Sequence, residues 1–89
     1  MQPLEKGARM SRTFRSPRHA ALVAFIKKKR KEAKLGQAQV AARMGRYQSF
    51  VAMIESGQKR IGAVELVEIA EAIGFDPAEA IRTMVKAKK

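Results

Sequence analysis

The sequence predicts an all-α domain, a compact bundle of five short helices. Three observations carry that prediction. Apolar residues recur at helical spacing beyond residue 16, and no run alternates with the two-residue period of a strand. Helix signals divide the pattern into short segments: Ser16-Pro17 and Asp76-Pro77 open helices, while Gly45, Gly57 and Gly74 close them. Finally, 89 residues with 46% hydrophobic content provide for one thin core, and the absence of cysteine excludes a disulfide framework or a thiolate metal site.

Each element follows in order. Residues 1–15 hold Pro3, Gly7, Ser11 and scattered basic residues without apolar periodicity, which predicts a flexible basic arm. Met10 offers an alternative start, with residues 1–9 then an upstream extension. Residues 16–86 are predicted to form the folded domain and 87–89 a tail. Helix 1 begins at Ser16-Pro17, a hydroxyl N-cap followed by proline at the first helical position, and carries Leu22, Phe25 and Ile26 at helical spacing. It should end near Lys34. The basic run from Lys27 to Lys31 covers more than a turn, so part of it must be plain solvated charge.

Gly36 stands where helix 2, Gln37 to Met44, needs a cap, and Val40, Ala41 and Met44 form its inner face. Ala41 is small enough to let two crossed helices approach. Four residues on, Gly45 can adopt the left-handed conformation that ends one helix and swings the chain into the next. Helix 3, Gln48 to Glu55, buries Val51 and Ile54 and leaves Gln48, Ser49 and Ala52 on its other face. Residues 37–56 therefore read as a helix-turn-helix. After a basic loop from Ser56 to Arg60, helix 4, Ala63 to Ile73, turns Leu66, Val67, Ile69, Ala70 and Ile73 inward and Glu65, Glu68 and Glu71 outward. Asp76-Pro77-Ala78-Glu79 has the form of a capping box, and Ala80, Ile81, Met84 and Val85 continue helix 5.

The formal charge of +11 is unevenly placed. Residues 1–60 hold fifteen Lys or Arg against Glu5, Glu32 and Glu55, a balance of +12, whereas residues 61–89 balance to −1. The first part suits a polyanion, through release of its counterions. An anionic membrane or an acidic protein would answer to the same charge. No apolar run reaches the roughly 18 residues needed to span a bilayer, and the N-terminus lacks a secretory hydrophobic segment. A soluble, cytoplasmic protein is expected, with no membrane partner. Enzymatic activity is not expected: His19 is the only histidine, and no nucleophile-base pair, zinc site or glycine-rich phosphate loop can be assembled. His19 itself reads as a surface residue of a helix start. No cofactor, metal or small-molecule ligand is anticipated.

From Ile26 to Asp76 the chain resembles the phage-repressor-like helix-turn-helix family, also called the xenobiotic-response-element (XRE) or Cro/C1-type family. The resemblance rests on an ordered set of residues: Arg30, Leu35, Gln37, Val40-Ala41, Gly45, Gln48-Ser49, Val51, Ile54-Glu55, Gly57 and the segment from Ile69 to Pro77. Gly36 replaces the usual Thr or Ser, and Phe50 and Met53 are bulkier and less polar than most members carry.

The resemblance implies a lambda-repressor-like fold whose third helix enters the major groove of double-stranded DNA. Gln48 would pair with adenine N6 and N7, Ser49 with several bases, and Ala52 would set its methyl against a thymine methyl. Gln37 matches the glutamine that starts helix 2 over a phosphate and braces the base-reading glutamine. Arg46, Tyr47, Lys59 and Arg60 flank helix 3 as phosphate ligands, and Arg9, Arg12 and Arg15 are arm residues that could reach phosphates or a minor groove. Arg43 reads as solvated. Arg30 and Glu55 match a partly buried salt bridge. Phe50 and Met53 could touch thymine methyls or complete the hydrophobic shell, and the shell is the expectation for Met53.

The function expected on this reading is a sequence-specific, autoregulating transcriptional regulator, similar to short phage repressors and restriction-modification controller proteins. It would bind a palindromic operator as a homodimer. The dimer interface is expected at helix 5 and the corner before it, through Phe75, Ile81, Met84 and Val85, with Ile81 the first candidate for burial inside the monomer. An antitoxin-type interaction protein that also binds DNA is the alternative, although no further folded segment is foreseen to hold a toxin. Charge-driven, sequence-blind binding is a third.

Overall fold

The computed structural model describes residues 16–88, so the arm carrying Arg9, Arg12 and Arg15 lies outside the described residues. Helix α1 spans Pro17–Glu32, α2 Gln37–Met44, α3 Gln48–Glu55, α4 Ala63–Ile73 and α5 Pro77–Lys86. No strand occurs among the described residues. The long α1 packs along α5 and touches α3, α2 crosses α3 and α4, and α4 meets α5. Leu22 and Ile26 from α1, Val40 and Ala41 from α2, Val51 and Ile54 from α3, Leu66, Ile69 and Ile73 from α4 and Ala80 from α5 close one core. Each large aliphatic side chain buried there contributes about 1.5–3 kcal/mol.

Helix ends follow local chemistry. The Ser16 hydroxyl accepts the His19 N–H at 3.1 Å, and Pro17, which has no N–H to satisfy, occupies the first turn of α1. The C-terminus of α1 falls at Glu32, two residues before the expected Lys34. There the Leu35 N–H donates to the Arg30 carbonyl and the Lys34 N–H to that of Lys31, a Schellman closure. Its left-handed position is held by Lys34 at φ 61°, an uncommon conformation for a residue with a Cβ. At the end of α2 the same closure places Gly45 at φ 69°, where glycine avoids that strain and turns the chain into α3.

Three sequence expectations are corrected. Val67 is 45% exposed, because Leu66, Ile69, Ala70 and Ile73 already define the buried side of α4 and Val67 falls outside that stripe. At α5 the Asp76 carboxylate accepts the Ala78 N–H at 2.9 Å, but the reciprocal half of the capping box does not form. The Glu79 carboxylate instead lies 3.6 Å from Lys29 Nζ on α1. His19 is not simply a surface residue, since its Nε2 lies 3.1 Å from the Gly57 carbonyl just past α3. No described helix is long and apolar enough to cross a membrane.

Candidate nucleic-acid interface

Two crossed helices, α2 and α3, make the surface on which most candidate residues fall. Ala41 is buried at their contact, and Val51 and Ile54 pin α3 to the core. At about 100° of rotation per residue, burying Val51 and Ile54 turns Ser49, Ala52 and Met53 to the opposite side of α3. Gln48 and Ser49 are exposed in its first turn, and Ala52 is half-buried.

A polar chain runs from the start of α3 back into the domain. Gln48 Nε2 donates to Gln37 Oε1 at 3.5 Å, and Gln37 Nε2 donates to Glu55 Oε1 at 3.0 Å. Glu55 accepts from Arg30 twice, from Nε at 2.5 Å and from Nη2 at 2.9 Å, while Arg30 Nη1 donates to the Leu35 carbonyl at 2.8 Å. Only 12% of the Arg30 side chain and 4% of the Glu55 side chain is exposed, so this pair is an internal strut between α1 and α3. Burial pushes the Glu55 carboxyl up, but the hydrogen bonds from Arg30 and Gln37 and the charges of Arg30 and Lys27 outweigh it and hold the carboxyl below the usual range. Arg30 is raised chiefly by its hydrogen bond to Glu55. Gln48 retains its side-chain oxygen and one N–H, the acceptor-donor pair that an adenine edge requires.

The flanking cations are arranged around one ring. Arg46 stacks over Phe50 with its guanidinium carbon 4.3 Å from the ring centroid, and Lys59 Nζ lies 5.2 Å from the same centroid. Both reach carboxylates of α4: Lys59 Nζ lies 3.2 Å from Glu65 Oε2, and Arg46 Nη2 lies 3.9 Å from Glu68 Oε1. Glu65 also accepts the Gly62 N–H at 3.1 Å, and that bond above all holds its carboxyl pKa down against the opposing effect of burial, with Lys59 and Arg46 adding to it. Tyr47, the N-cap residue of α3, is 86% exposed, and Arg60 is exposed in the following loop. Arg43 points elsewhere: its Nη1 donates to the Ala72 carbonyl at 2.8 Å and so satisfies the C-terminal end of α4.

On α1 the basic run divides in the way its length requires. Lys29 turns in to pair with Glu32 and Glu79 and to lie over Phe25, and Arg30 turns in to Glu55. Lys27, Lys28, Lys31 and Lys34 remain exposed. One further expectation changes here. Met53 does not complete the hydrophobic shell, being 46% exposed on the outward side of α3, whereas Phe50 does pack against the core. Ile81, an expected dimer-interface residue and the one of the four most open to burial inside the monomer, is 50% exposed, and Val85 is 66% exposed. Phe75 and Met84 are the ones drawn inward, Phe75 standing edge-on to Phe25 at 5.2 Å between centroids. The cations held on Phe50 were legible only as separate basic residues, because what joins them is the path of the loop between α3 and α4.

Residues 26–79 match the sequence profile of the helix-turn-helix family. Among solved structures, an XRE-family-like protein from Pseudomonas syringae pv. tomato str. DC3000 superposes with a TM-score of 0.76 at 30% identity, over 85% of this chain and 93% of that one. The restriction-modification controller protein C.AhdI from Aeromonas hydrophila gives 0.61 at 29% identity, over 70% and 94% of the two chains. The clp gene regulator ClgR from C. glutamicum gives 0.70 over 76% and 88%, but its 18% identity speaks for the fold alone. No curated protein sequence matches the chain.

Proposed function

The chain belongs to the Cro/C1-type (XRE) helix-turn-helix family of DNA-binding transcriptional regulators, and from that premise we propose that it binds a palindromic operator as a homodimer and controls its own promoter. The likeness to a restriction-modification controller protein supports the autoregulatory part. The observation that carries the reading is the polar chain from Arg30 through Glu55 and Gln37 to Gln48. A base-reading amide must be held in one orientation before it meets DNA, and that chain holds it from behind while leaving its outer donor and acceptor available.

On this reading Gln48 and Ser49 face base edges with Ala52 beside them. Gln37, Arg46, Tyr47, Lys59 and Arg60 hold phosphates on either side, which positions the helix without specifying sequence. The arm residues Arg9, Arg12 and Arg15 would extend that hold, and a cytoplasmic location is part of the same proposal. One recognition helix contacts too few base pairs to find a unique site, so two copies would engage half-sites about 34 Å apart. Ile81 and Val85, exposed and one turn apart on α5, are the apolar residues available for pairing, with Phe75 and Met84 behind them.

Selection of bound duplexes from a random pool tests specificity and symmetry together: a palindromic consensus is expected, and an asymmetric or absent consensus would contradict the proposal. Gln48→Ala should weaken binding to the selected duplex and leave scrambled-duplex affinity nearly unchanged. Lys59→Ala should weaken binding to both and lower the salt slope by about one. Sedimentation that finds only monomer, with or without the selected duplex, would remove the homodimer.

A further inference from the structure

His19 joins the first turn of α1 to the loop that follows α3. Its ring stands on fixed backbone, because the Ser16 hydroxyl accepts the His19 N–H at 3.1 Å and Pro17 sets the start of the helix. The ring Nε2 lies 3.1 Å from the Gly57 carbonyl, a partly buried contact between residues 38 apart in sequence. A carbonyl oxygen only accepts, so Nε2–H is the donor.

Gly57 is the place where such a bond has leverage. It closes α3 in the left-handed conformation at φ 82°, with its own N–H on the Ile54 carbonyl and the Gln58 N–H on that of Met53. Glycine turns freely about its backbone bonds, and the His19 bond fixes the direction of its carbonyl, and with it the path by which the chain leaves toward Lys59 and Arg60. The far end of the loop is held by α4: the Gly62 N–H donates to Glu65 at 3.1 Å, and Lys59 Nζ lies 3.2 Å from the same carboxylate. A phosphate that takes Lys59 competes with Glu65. The bond from α1 is the anchor that such a phosphate leaves undisturbed.

Accepting the DNA-binding reading above, we propose that His19 is a positioning residue for DNA binding: its ring holds the Gly57 carbonyl so that Lys59 and Arg60 meet the phosphate backbone from a loop already set in place. A loop ordered beforehand does not have to be ordered on binding, which raises affinity without a new contact to DNA. Residue 19 precedes the segment 26–79 that matches the family profile, so this support reaches the helix-turn-helix from outside that segment.

Two substitutions separate the hydrogen bond from the bulk of the ring. His19→Phe keeps a ring and removes the donor, whereas His19→Gln keeps an Nε2–H at about the same reach. Affinities for the selected and scrambled duplexes are measured across a salt series. One phosphate contact is worth about eightfold at about 0.1 M salt through counterion release, so His19→Phe should weaken both duplexes by about threefold to eightfold and lower the salt slope by about one. The ratio between the two duplexes should stay unchanged, and His19→Gln should recover most of the loss. In a chain already carrying Lys59→Ala and Arg60→Ala, His19→Phe should cost nothing further. Without DNA, exchange of the Lys59 and Arg60 amide hydrogens should accelerate in His19→Phe while those of Ile26 and Ile54 stay protected, which separates a loosened loop from an unfolded domain. A lower melting temperature with an unchanged salt slope, or the same loss on top of the two alanines, would overturn the inference and leave the DNA-binding reading intact. A wild-type chain with no affinity for either duplex would instead remove both.

Discussion

Replacing Glu55 by alanine removes the acceptor for two Arg30 donors and for Gln37, and leaves the Leu35 carbonyl as the remaining hydrogen-bond partner of a guanidinium that is 12% exposed. Stranding a charge in such a place costs about 3–5 kcal/mol. A chain of 89 residues has a total stability of about 4–13 kcal/mol, so the loss is a large share of the whole. At about 4–8 °C per kcal/mol, thermal unfolding followed by circular dichroism should shift down by at least about 12 °C. Exchanging both partners, Arg30→Met with Glu55→Leu, should recover most of that loss because no unpaired charge stays inside. Binding of the selected duplex should not recover with it, since Gln37 would have lost the acceptor that braces it behind Gln48.

The same pair predicts a pH dependence. The Glu55 carboxyl is depressed in the folded state, so its contribution is fully present above the unfolded value of about 4.3 and is lost as pH falls through the lower folded value. Glu55→Gln should therefore lie below wild type at neutral pH and converge on it in acid. A shift of less than about 4 °C for Glu55→Ala would refute the strut. So would a gap between wild type and Glu55→Gln that stays constant into acid.

Two further outcomes concern places where the chain departs from local preference. Lys34 occupies the left-handed position that closes α1, so Lys34→Gly should stabilise the domain by about 0.5–1 kcal/mol in chemical denaturation, and destabilisation would show that its side chain outweighs the backbone strain. Glu65 ties up Lys59, so Glu65→Gln should raise affinity for a scrambled duplex by up to about fivefold while the Gln oxygen preserves the bond from the Gly62 N–H. Unchanged affinity in fluorescence anisotropy would mean that Lys59 is not held back by Glu65.

The sequence was most legible where one residue decides one feature. Ser16-Pro17, Gly45 and Gly74 mark helix ends by backbone chemistry that acts within a few residues, and the bounds of α2, α3 and α4 follow from them and from the apolar period. It was least legible where an apolar side chain had to be assigned a direction. Hydrophobicity alone turns Val67 and Met53 inward, yet both are about half exposed. The stripes set by Leu66 and Ile69 and by Val51 and Ile54 are complete without them.

For Met53 the corrective signal was in the sequence. Val51 and Ile54 fix the buried side of α3, and at about 100° per residue Met53 falls well outside the stripe they define. What the sequence does not contain is the set of neighbours that tertiary packing brings to the two ends of α3. Phe50 draws Arg46 from the turn before α3 and Lys59 from the loop after it onto one ring, and Gln37 crosses from α2 to join Gln48 with Glu55. Positive charge is thereby gathered at both ends of α3 while its middle presents small, polar and apolar groups. A phosphate backbone on either side and base edges between them complement that distribution, so positioning and readout rest on different residues and can be removed separately.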